Sequence, residues 1–255
     1  MARSMRDPTQ RFSSRVENYI RFRPGYPDEL IELLQRECGL NPQAMVADIG
    51  SGTGKLTELL LPAGCAVIAV EPNREMREAG ERLLGRFPCF TSVAGTAEAT
   101  TLPPRSVDLI TAGQAFHWFD RPRARVEFAR ILKPGGTVAL IWNDRRTNTT
   151  PFLAAYEELL HDFATDYEQV NHRNLDLATL RDFLGNGMRQ EKFQYVQRFD
   201  YAGLEGRLLS SSYAPDKGHP KHEEMLQRLR EIFDQHQEGG KVSFDYDTWV
   251  YWRRW

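Results

Sequence analysis

The chain has 255 residues, of which 41% are hydrophobic and 27% are charged, and its formal net charge is −2 at pH 7. This composition is typical of a soluble globular protein, with room for one α/β domain and an elaboration or for two small domains. The near-neutral charge gives no reason to expect a nucleic-acid partner, because phosphate binding needs clustered Lys and Arg. No apolar run approaches the roughly 20 residues of a membrane helix, so no membrane partner is expected.

The three cysteines, Cys38, Cys65 and Cys89, are odd in number and form no C-x-x-C pair. We therefore expect small core residues of a reduced, cytoplasmic protein, with no disulfide and no metal site.

Two short helices are predicted before the first strand. Apolar residues at positions i, i+4, i+7 and i+8 predict an amphipathic helix over residues 11–21. Residues 23–27 read R-P-G-Y-P and predict a stiff extended turn, because each proline fixes its own φ and keeps the preceding residue out of the helical region. Asp28 is placed to cap the second helix.

Strands and helices then alternate with short connections. The strands are continuous apolar runs, as expected for parallel strands that are buried on both faces. This alternation predicts an α/β fold with a doubly wound, mostly parallel sheet and right-handed crossovers. The predicted strands are 45–49, 66–70, 90–94, 107–112 and 137–142, and the predicted helices are 55–61, 74–84 and 121–132.

The pattern changes after residue 142. Residues 145–190 are polar, with one helix predicted over 152–167 and a glycine-containing stretch near Gly185. Two alternating segments, 193–201 and 241–252, predict antiparallel strands at the edge of the sheet. Helices are predicted between them over 204–212 and 221–236.

A glycine-rich turn follows the first predicted strand. Residues 46–54 read V-A-D-I-G-S-G-T-G, and Glu71 closes the next strand. Glycines let backbone approach a ligand, and a carboxylate at this place can accept hydrogen bonds from ribose hydroxyls, so the pattern predicts a nucleoside pocket. The dinucleotide fingerprint G-x-G-x-x-G needs a third glycine at position 55, which is Lys55. Here the third glycine is Gly54.

The D-I-G-S-G-T-G string resembles the first motif of the Rossmann-like S-adenosylmethionine-dependent methyltransferases. Residues 112–120, A-G-Q-A-F-H-W-F-D, resemble the small-molecule group that includes the trans-aconitate and ubiquinone/menaquinone methyltransferases. Residues 19–27 are similar to that family's Y-x-x-x-R-P-x-Y-P segment. The resemblance implies a seven-stranded sheet with an antiparallel last strand and a helical cap inserted after the fifth strand.

The implied organisation has four parts along the chain. Residues 1–40 form lid helices, 41–144 the cofactor-binding core and 145–192 the helical cap. Residues 193–255 complete the sheet with strands and helices. A monomer or a dimer fits this organisation.

The resemblance implies S-adenosyl-L-methionine as cofactor and S-adenosyl-L-homocysteine as product. Glu71 would accept both ribose hydroxyls, a charge-assisted contact. Thr96 stands where the family usually has an aspartate facing the adenine amino group, and Met76 is either an adenine-packing residue or an ordinary core residue. The cofactor contacts implied are Tyr19, Arg23, Asp48, Gly50, Ser51, Gly52, Thr53, Gly54, Glu71, Pro72, Met76, Thr96, Ala97, Glu98, Gln114, Ala115 and Trp118.

The acceptor side is less defined. Tyr26, Trp142 and Arg145 are expected to face the acceptor, and His117 is either a general base or a packed structural residue. Asn143 and Asp144 lack the further carboxylates that a divalent metal site needs, so no metal is expected.

Three other functions are alternatives to methyl transfer to a small molecule. An NAD-dependent oxidoreductase is disfavoured by the glycine spacing and by the lack of a Tyr-x-x-x-Lys pair in the second half. A nucleic-acid methyltransferase is disfavoured because residues 114–117 read Q-A-F-H rather than an N-P-P-Y-type motif. A cofactor-binding regulatory protein without transfer activity stays open.

Overall fold

The computed structural model describes residues 16–165, 167 and 176–255. The first part of the helix predicted over 11–21 and a portion of the predicted cap lie outside the described residues. Within them, no helix is both long and apolar enough to cross a membrane.

A seven-stranded sheet organises the molecule, with strand order β3-β2-β1-β4-β5-β7-β6. β1 to β5 are parallel, and β7 runs antiparallel to both of its neighbours, β5 and β6. The predicted α/β sheet with an antiparallel last strand is therefore confirmed. The strands are β1 Met45–Ile49, β2 Ala66–Val70, β3 Phe90–Val93, β4 Val107–Gly113, β5 Leu132–Arg145, β6 Arg189–Phe199 and β7 Val242–Arg254.

Helices flank the sheet. They are α1 Val16–Phe22, α2 Glu29–Cys38, α3 Lys55–Leu60, α4 Arg74–Leu84, α5 Arg121–Ile131, α6 Pro151–Phe163, α7 Leu177–Leu184, α8 Tyr201–Leu209 and α9 His222–His236. Short 3₁₀ turns occur at Leu61–Ala63 and Phe116–Trp118.

Each face of the sheet carries its own apolar core. Val46 packs on one side with leucines of α2 and α3, whereas Ala47 packs on the other with Phe128 of α5. This alternation follows from the period of two along a strand. A third core joins α6, α8 and α9 to the ends of β6 and β7 around Phe244. We call this third unit the cap core.

Several local predictions were wrong in their bounds. Asp28 makes no side-chain capping bond to α2. The predicted helix 204–212 begins earlier, at Tyr201, because the Asp200 carboxylate accepts from Gly203 N at 2.8 Å and caps it there. α7 was not predicted at all, although Asp176 caps it by accepting from Thr179 N at 2.8 Å.

Candidate active site

A cavity of about 280 Å³ lies at the carboxyl edge of the parallel strands. Residues at or just after the ends of five successive strands line it: Gly50, Glu71, Thr96, Gly113 and Asn143. In an open α/β sheet this edge is where ligands bind. The turn after β1, which the sequence singled out, therefore lies at this cavity.

The glycine turn needs its glycines for two different reasons. Gly50 has φ +70°, and a Cβ built on it would lie 2.6 Å from the Ala115 Cβ, so a side chain there has no room. Gly52 has φ +58° and lines the cavity, but no atom lies within 4 Å of the place where its Cβ would stand. The open space at Gly52 is thus available to a ligand that approaches the backbone closely.

Glu71 ties this turn to the start of α4. Its Oε2 accepts from Gly52 N at 2.9 Å and its Oε1 accepts from Asn73 N at 2.8 Å. Burial raises the pKa of Glu71, opposed by these two hydrogen bonds and by Arg77. Each carboxylate oxygen keeps a further lone pair, so the side chain can accept from two neighbouring hydroxyls of a ligand.

The next part of the wall is small and apolar. Met76 and Ala97 are 3% and 4% exposed, and both line the cavity beside Pro72. The Thr96 hydroxyl accepts from Glu98 N at 3.3 Å, which shapes the turn after β3. These side chains present a small apolar surface to the cavity, and Thr96 lines it beside them.

Asp48 lies behind the glycine turn rather than on the main cavity. It is 1% exposed, and its carboxylate accepts from the hydroxyls of Thr57 at 2.7 Å and Thr111 at 3.1 Å. Together with Ser51 it lines a small annex of about 20 Å³, where Tyr19 and Tyr26 form the other side. Burial raises the pKa of Asp48 to about 6 in spite of the two hydroxyl bonds, with Glu71 adding to the rise.

Thr53 and Gly54 do not line the main cavity either. Thr53 is 2% exposed, and a Cβ on Gly54 would lie 2.4 Å from Leu84 Cδ1. These two residues therefore pack the turn against α4 and do not line the main cavity.

Gln114 holds the ends of β4 and β5 together. Its Nε2 donates to Asn143 O, and Asn143 N donates back to its Oε1, both at 3.2 Å. Its backbone has φ +54°, a strained conformation for a residue other than glycine and one that is common at functional sites. Asn143 in turn donates from Nδ2 to Gly25 O at 2.7 Å, so the segment after α1 is fixed over the sheet edge.

Aromatic residues close the side of the cavity after β4. Trp118 is 37% exposed at the rim, and the His117 ring centroid lies 4.6 Å from that of Trp118. His117 is also 5.9 Å from Trp142, between centroids. Trp142, which was expected to face the acceptor, is 4% exposed and packs in the core beside Phe116 without lining the cavity.

The amino-terminal segment forms the roof. Tyr19, Arg23, Pro24 and Tyr26 all line the cavity, and the Arg23 guanidinium lies 5.3 Å from the Tyr19 ring centroid. Arg23 also donates from Nη2 to Ser210 O at 3.1 Å, which links the roof to the end of α8.

Sequence reasoning missed much of the wall on the cap side. Arg145 was expected to face the acceptor and does line the cavity, but α8, β7 and the segments around them add residues that the sequence analysis did not assign to the site. These are Tyr167, Arg207, Ser212, Tyr213 and Tyr246, and Lys55, Asn73 and Phe119 complete the lining elsewhere. The alternation of β7 was a signal for Tyr246, which shares a strand face with Phe244.

Fold and site together define an α/β protein with a cavity at the carboxyl edge of its sheet. A methyltransferase domain model matches residues 47–140. An uncharacterised methyltransferase of Mycobacterium tuberculosis is 42% identical over 145 residues, and the match spans 57% of this chain and 57% of that relative. An uncharacterised methyltransferase of Geobacillus kaustophilus is 30% identical over 192 residues, which span 71% of this chain and 85% of the relative.

Among solved structures, a candidate type II methyltransferase from Anaeromyxobacter dehalogenans has the same fold. Its TM-score is 0.65 at 23% identity, and the alignment covers 91% of this chain and 98% of that one. The chain belongs to the methyltransferase family.

Proposed function

We propose that this protein transfers a methyl group from S-adenosyl-L-methionine to a small-molecule acceptor. The observation that carries the proposal is the glycine turn after β1, held by Glu71 at the edge of the cavity in a chain of the methyltransferase family. When bound, the cofactor supplies a methyl group on a sulfonium, so the leaving group comes with the donor.

The residues of the cavity fit the parts of this cofactor. Glu71 accepts from the ribose hydroxyls, and Met76 and Ala97 hold the adenine, with Thr96 and Glu98 at its edge. Gly50 and Gly52 let the turn approach the methionine part, for which Tyr19 and Arg23 supply a hydroxyl and a positive charge. Asp48, through the annex it shares with Tyr19, faces the ammonium end.

The remaining wall aligns the acceptor. Gln114, Ala115 and Trp118 enclose the transfer position, with Tyr26 and Arg145 on the acceptor side. Alignment of two bound reactants can supply about 7–11 kcal/mol of barrier reduction, so the reaction needs little more than position and the exclusion of water. His117 borders the same space either as a base or as part of the aromatic wall.

A matched pair of glycine variants tests this proposal. Gly52 and Gly39 both have positive φ, +58° and +77°, and neither has an atom within 4 Å of its Cβ position. Gly39 caps α2, away from the cavity, whereas Gly52 lines it. Each Gly→Ala change costs a similar roughly 1–2 kcal/mol of backbone strain.

The measurement is release of S-adenosylhomocysteine from S-adenosylmethionine in the presence of a panel of small acids, phenols, enols and amines. We expect acceptor-dependent release by the wild type and by Gly39→Ala, and at least a tenfold loss in Gly52→Ala. Binding of the cofactor without release for any acceptor class would favour the regulatory alternative.

A further inference from the structure

The cap end of the cavity is lined by three arginine side chains. Arg207 comes from α8, Arg145 from the end of β5 and Arg23 from the segment after α1. Arg207 is 5% exposed, and only 9% of the Arg145 side chain is exposed. Burying a guanidinium is costly unless an opposite charge accompanies it.

Only one of these arginines has its charge balanced by the part of the chain that the structure describes. Arg145 forms a salt bridge with Glu157 and donates to the Tyr167 hydroxyl at 3.1 Å. Among the described residues, none of the ion pairs with an N···O distance of 4.0 Å or less involves the guanidinium of Arg207 or Arg23.

Arg207 is held by neutral groups alone. Its Nε donates to the Tyr246 hydroxyl at 3.4 Å and its Nη1 donates to Ser211 Oγ at 3.2 Å. These contacts fix the orientation of the guanidinium without cancelling its charge. Burial lowers the pKa of Arg23, and the nearby charge of Arg207 lowers it further. The two cations therefore repel one another in the protein alone.

The carboxylates that line the cavity do not supply the missing charge. Glu71 accepts from two backbone amides of the β1 and β2 turns, and Glu98 accepts from Asp120 N at 2.8 Å. They follow strands β2 and β3, and among the described residues neither forms an ion pair with Arg207 or Arg23. The compensating anions must therefore arrive with ligands. The carboxylate of the proposed cofactor lies beside Tyr19 and Arg23 and balances the positive charge of Arg23. The positive charge of Arg207 is then still unbalanced.

We propose that the methyl acceptor is a carboxylic acid whose single carboxylate binds Arg207, with the Tyr213 hydroxyl as a second donor. This inference rests on the proposed function, since it names the acceptor class of the same cavity. Tyr213 lines the cavity beside Ser212. Burial acts to raise the pKa of Tyr213, but Arg207, Arg23 and Arg145 together bring it below its ordinary value, which makes its hydroxyl a stronger donor toward an anion.

The test compares carboxylates with their uncharged amides on the wild-type protein saturated with S-adenosylhomocysteine. The probes are three matched pairs at pH 7.5: benzoate and benzamide, phenylacetate and phenylacetamide, hexanoate and hexanamide. A ligand that binds only the folded protein raises its melting temperature by mass action. We expect the acids to raise it in a concentration-dependent way and the amides to leave it within error.

Three variants assign the effect to a residue. In Arg207→Gln we expect at least a tenfold loss of affinity for the acids, with S-adenosylhomocysteine affinity kept within a factor of three. Arg207→Lys keeps the charge and should retain part of the acid binding. Arg228→Gln is the control, because Arg228 pairs with Glu231 on the exposed face of α9.

Each outcome decides a separate point. If no acid stabilises the saturated wild type, or if the amides do so equally, the proposal is wrong. If Arg207→Gln folds but no longer binds S-adenosylhomocysteine, Arg207 holds the cofactor and the proposal is also wrong. If Arg207→Gln does not fold, the wild-type comparison and Arg207→Lys decide. Failure of the wild type to bind S-adenosylhomocysteine would instead refute the proposed function.

Discussion

Asp48 shows how one residue can couple the cavity to pH. Burial raises its pKa to about 6 in the folded protein, against about 3.9 in an unfolded chain. A carboxyl group whose pKa is raised on folding stabilises the protein fully below its unfolded pKa. That contribution is lost as the pH rises through the folded pKa. The ionised form that predominates at neutral pH is thus a cost to the protein, and a cationic group of a ligand can offset it.

The raised pKa of Asp48 makes the stability of the folded protein depend on pH. Between pH 4 and pH 7 the wild-type free energy of unfolding should fall by roughly 2 kcal/mol relative to Asp48→Asn, because the asparagine does not ionise. Urea unfolding at several pH values measures the difference.

Binding of S-adenosylhomocysteine should change in the opposite direction. Its ammonium favours ionised Asp48, so wild-type affinity should rise about tenfold from pH 5 to pH 7.5, whereas Asp48→Asn should show little change. Identical pH profiles in the two proteins would mean that Asp48 does not sense the ligand.

His117 poses a different question at the same scale, since its ring packs against Trp118 and Trp142. We predict that His117→Ala loosens this wall, lowers stability by roughly 2 kcal/mol and weakens binding and turnover together. His236→Ala, near the end of α9, is the control for loss of a histidine elsewhere.

The base interpretation predicts another result for the same variant. His117→Ala would then fold and saturate with cofactor normally while kcat fell by roughly 10²–10⁴. The melting temperature and the cofactor affinity separate the two roles before any rate is compared.

At the scale of elements, α1 packs against α8 at a glycine of α8, whose lack of a side chain leaves room for an aromatic ring of α1. A Cβ on Gly206 would lie 2.1 Å from the Phe22 ring, and that ring also meets Phe199 edge-on at 6.5 Å between centroids. Phe22 ends α1, and Tyr19 and Arg23 on either side of it line the cavity. The fit between Phe22 and Gly206 therefore positions the roof of the site.

We predict that Gly206→Ala displaces α1 and weakens S-adenosylhomocysteine binding at least tenfold. Alanine by itself would favour the helix by about 1 kcal/mol, so the loss cannot come from helix propensity. Gly80→Ala in α4 is the matched control, because its Cβ would meet Thr53 only at an ordinary 3.6 Å. Calorimetry on both variants checks this, and equal affinities would show that the roof does not depend on this contact.

The elements also show which parts of the fold are readable from the sequence. β1 and β2 were predicted with their observed bounds because buried parallel strands are continuous apolar runs between turn residues. α7 was not predicted because its apolar residues Leu180, Phe183 and Leu184 lie in a polar stretch of sequence. They join the apolar core that also contains Phe128 of α5, a contact that only the folded structure shows.

Arg207 illustrates what sequence could not supply at the site. The glycine turn and Glu71 lie next to each other in the order of the strands, so their meeting follows from the topology of the fold. Arg207 reaches the cavity only because α8 docks against β7, where its guanidinium lies 5.9 Å from the Phe244 ring centroid. Such docking depends on many distant contacts and has no local motif.

For the whole molecule, the cavity lies where the sheet meets the cap core. The sheet half supplies Gly52 and Glu71, which suit a nucleoside, and the cap half supplies Arg207 and Tyr213, which suit an acid. We infer that this cavity binds the nucleoside of S-adenosylmethionine rather than that of a dinucleotide.

Calorimetric titration of S-adenosylhomocysteine and NADH into the wild type and Glu71→Gln distinguishes these two ligands. The substitution keeps the shape of the side chain but replaces the charged carboxylate, which is proposed to accept hydrogen bonds from the ribose hydroxyls, by a neutral amide. We predict that the wild type binds S-adenosylhomocysteine and not NADH, and that Glu71→Gln weakens binding by about 1.5–3 kcal/mol. Binding of NADH, or an unchanged affinity for S-adenosylhomocysteine in Glu71→Gln, would show that the cavity is not built for this cofactor around Glu71.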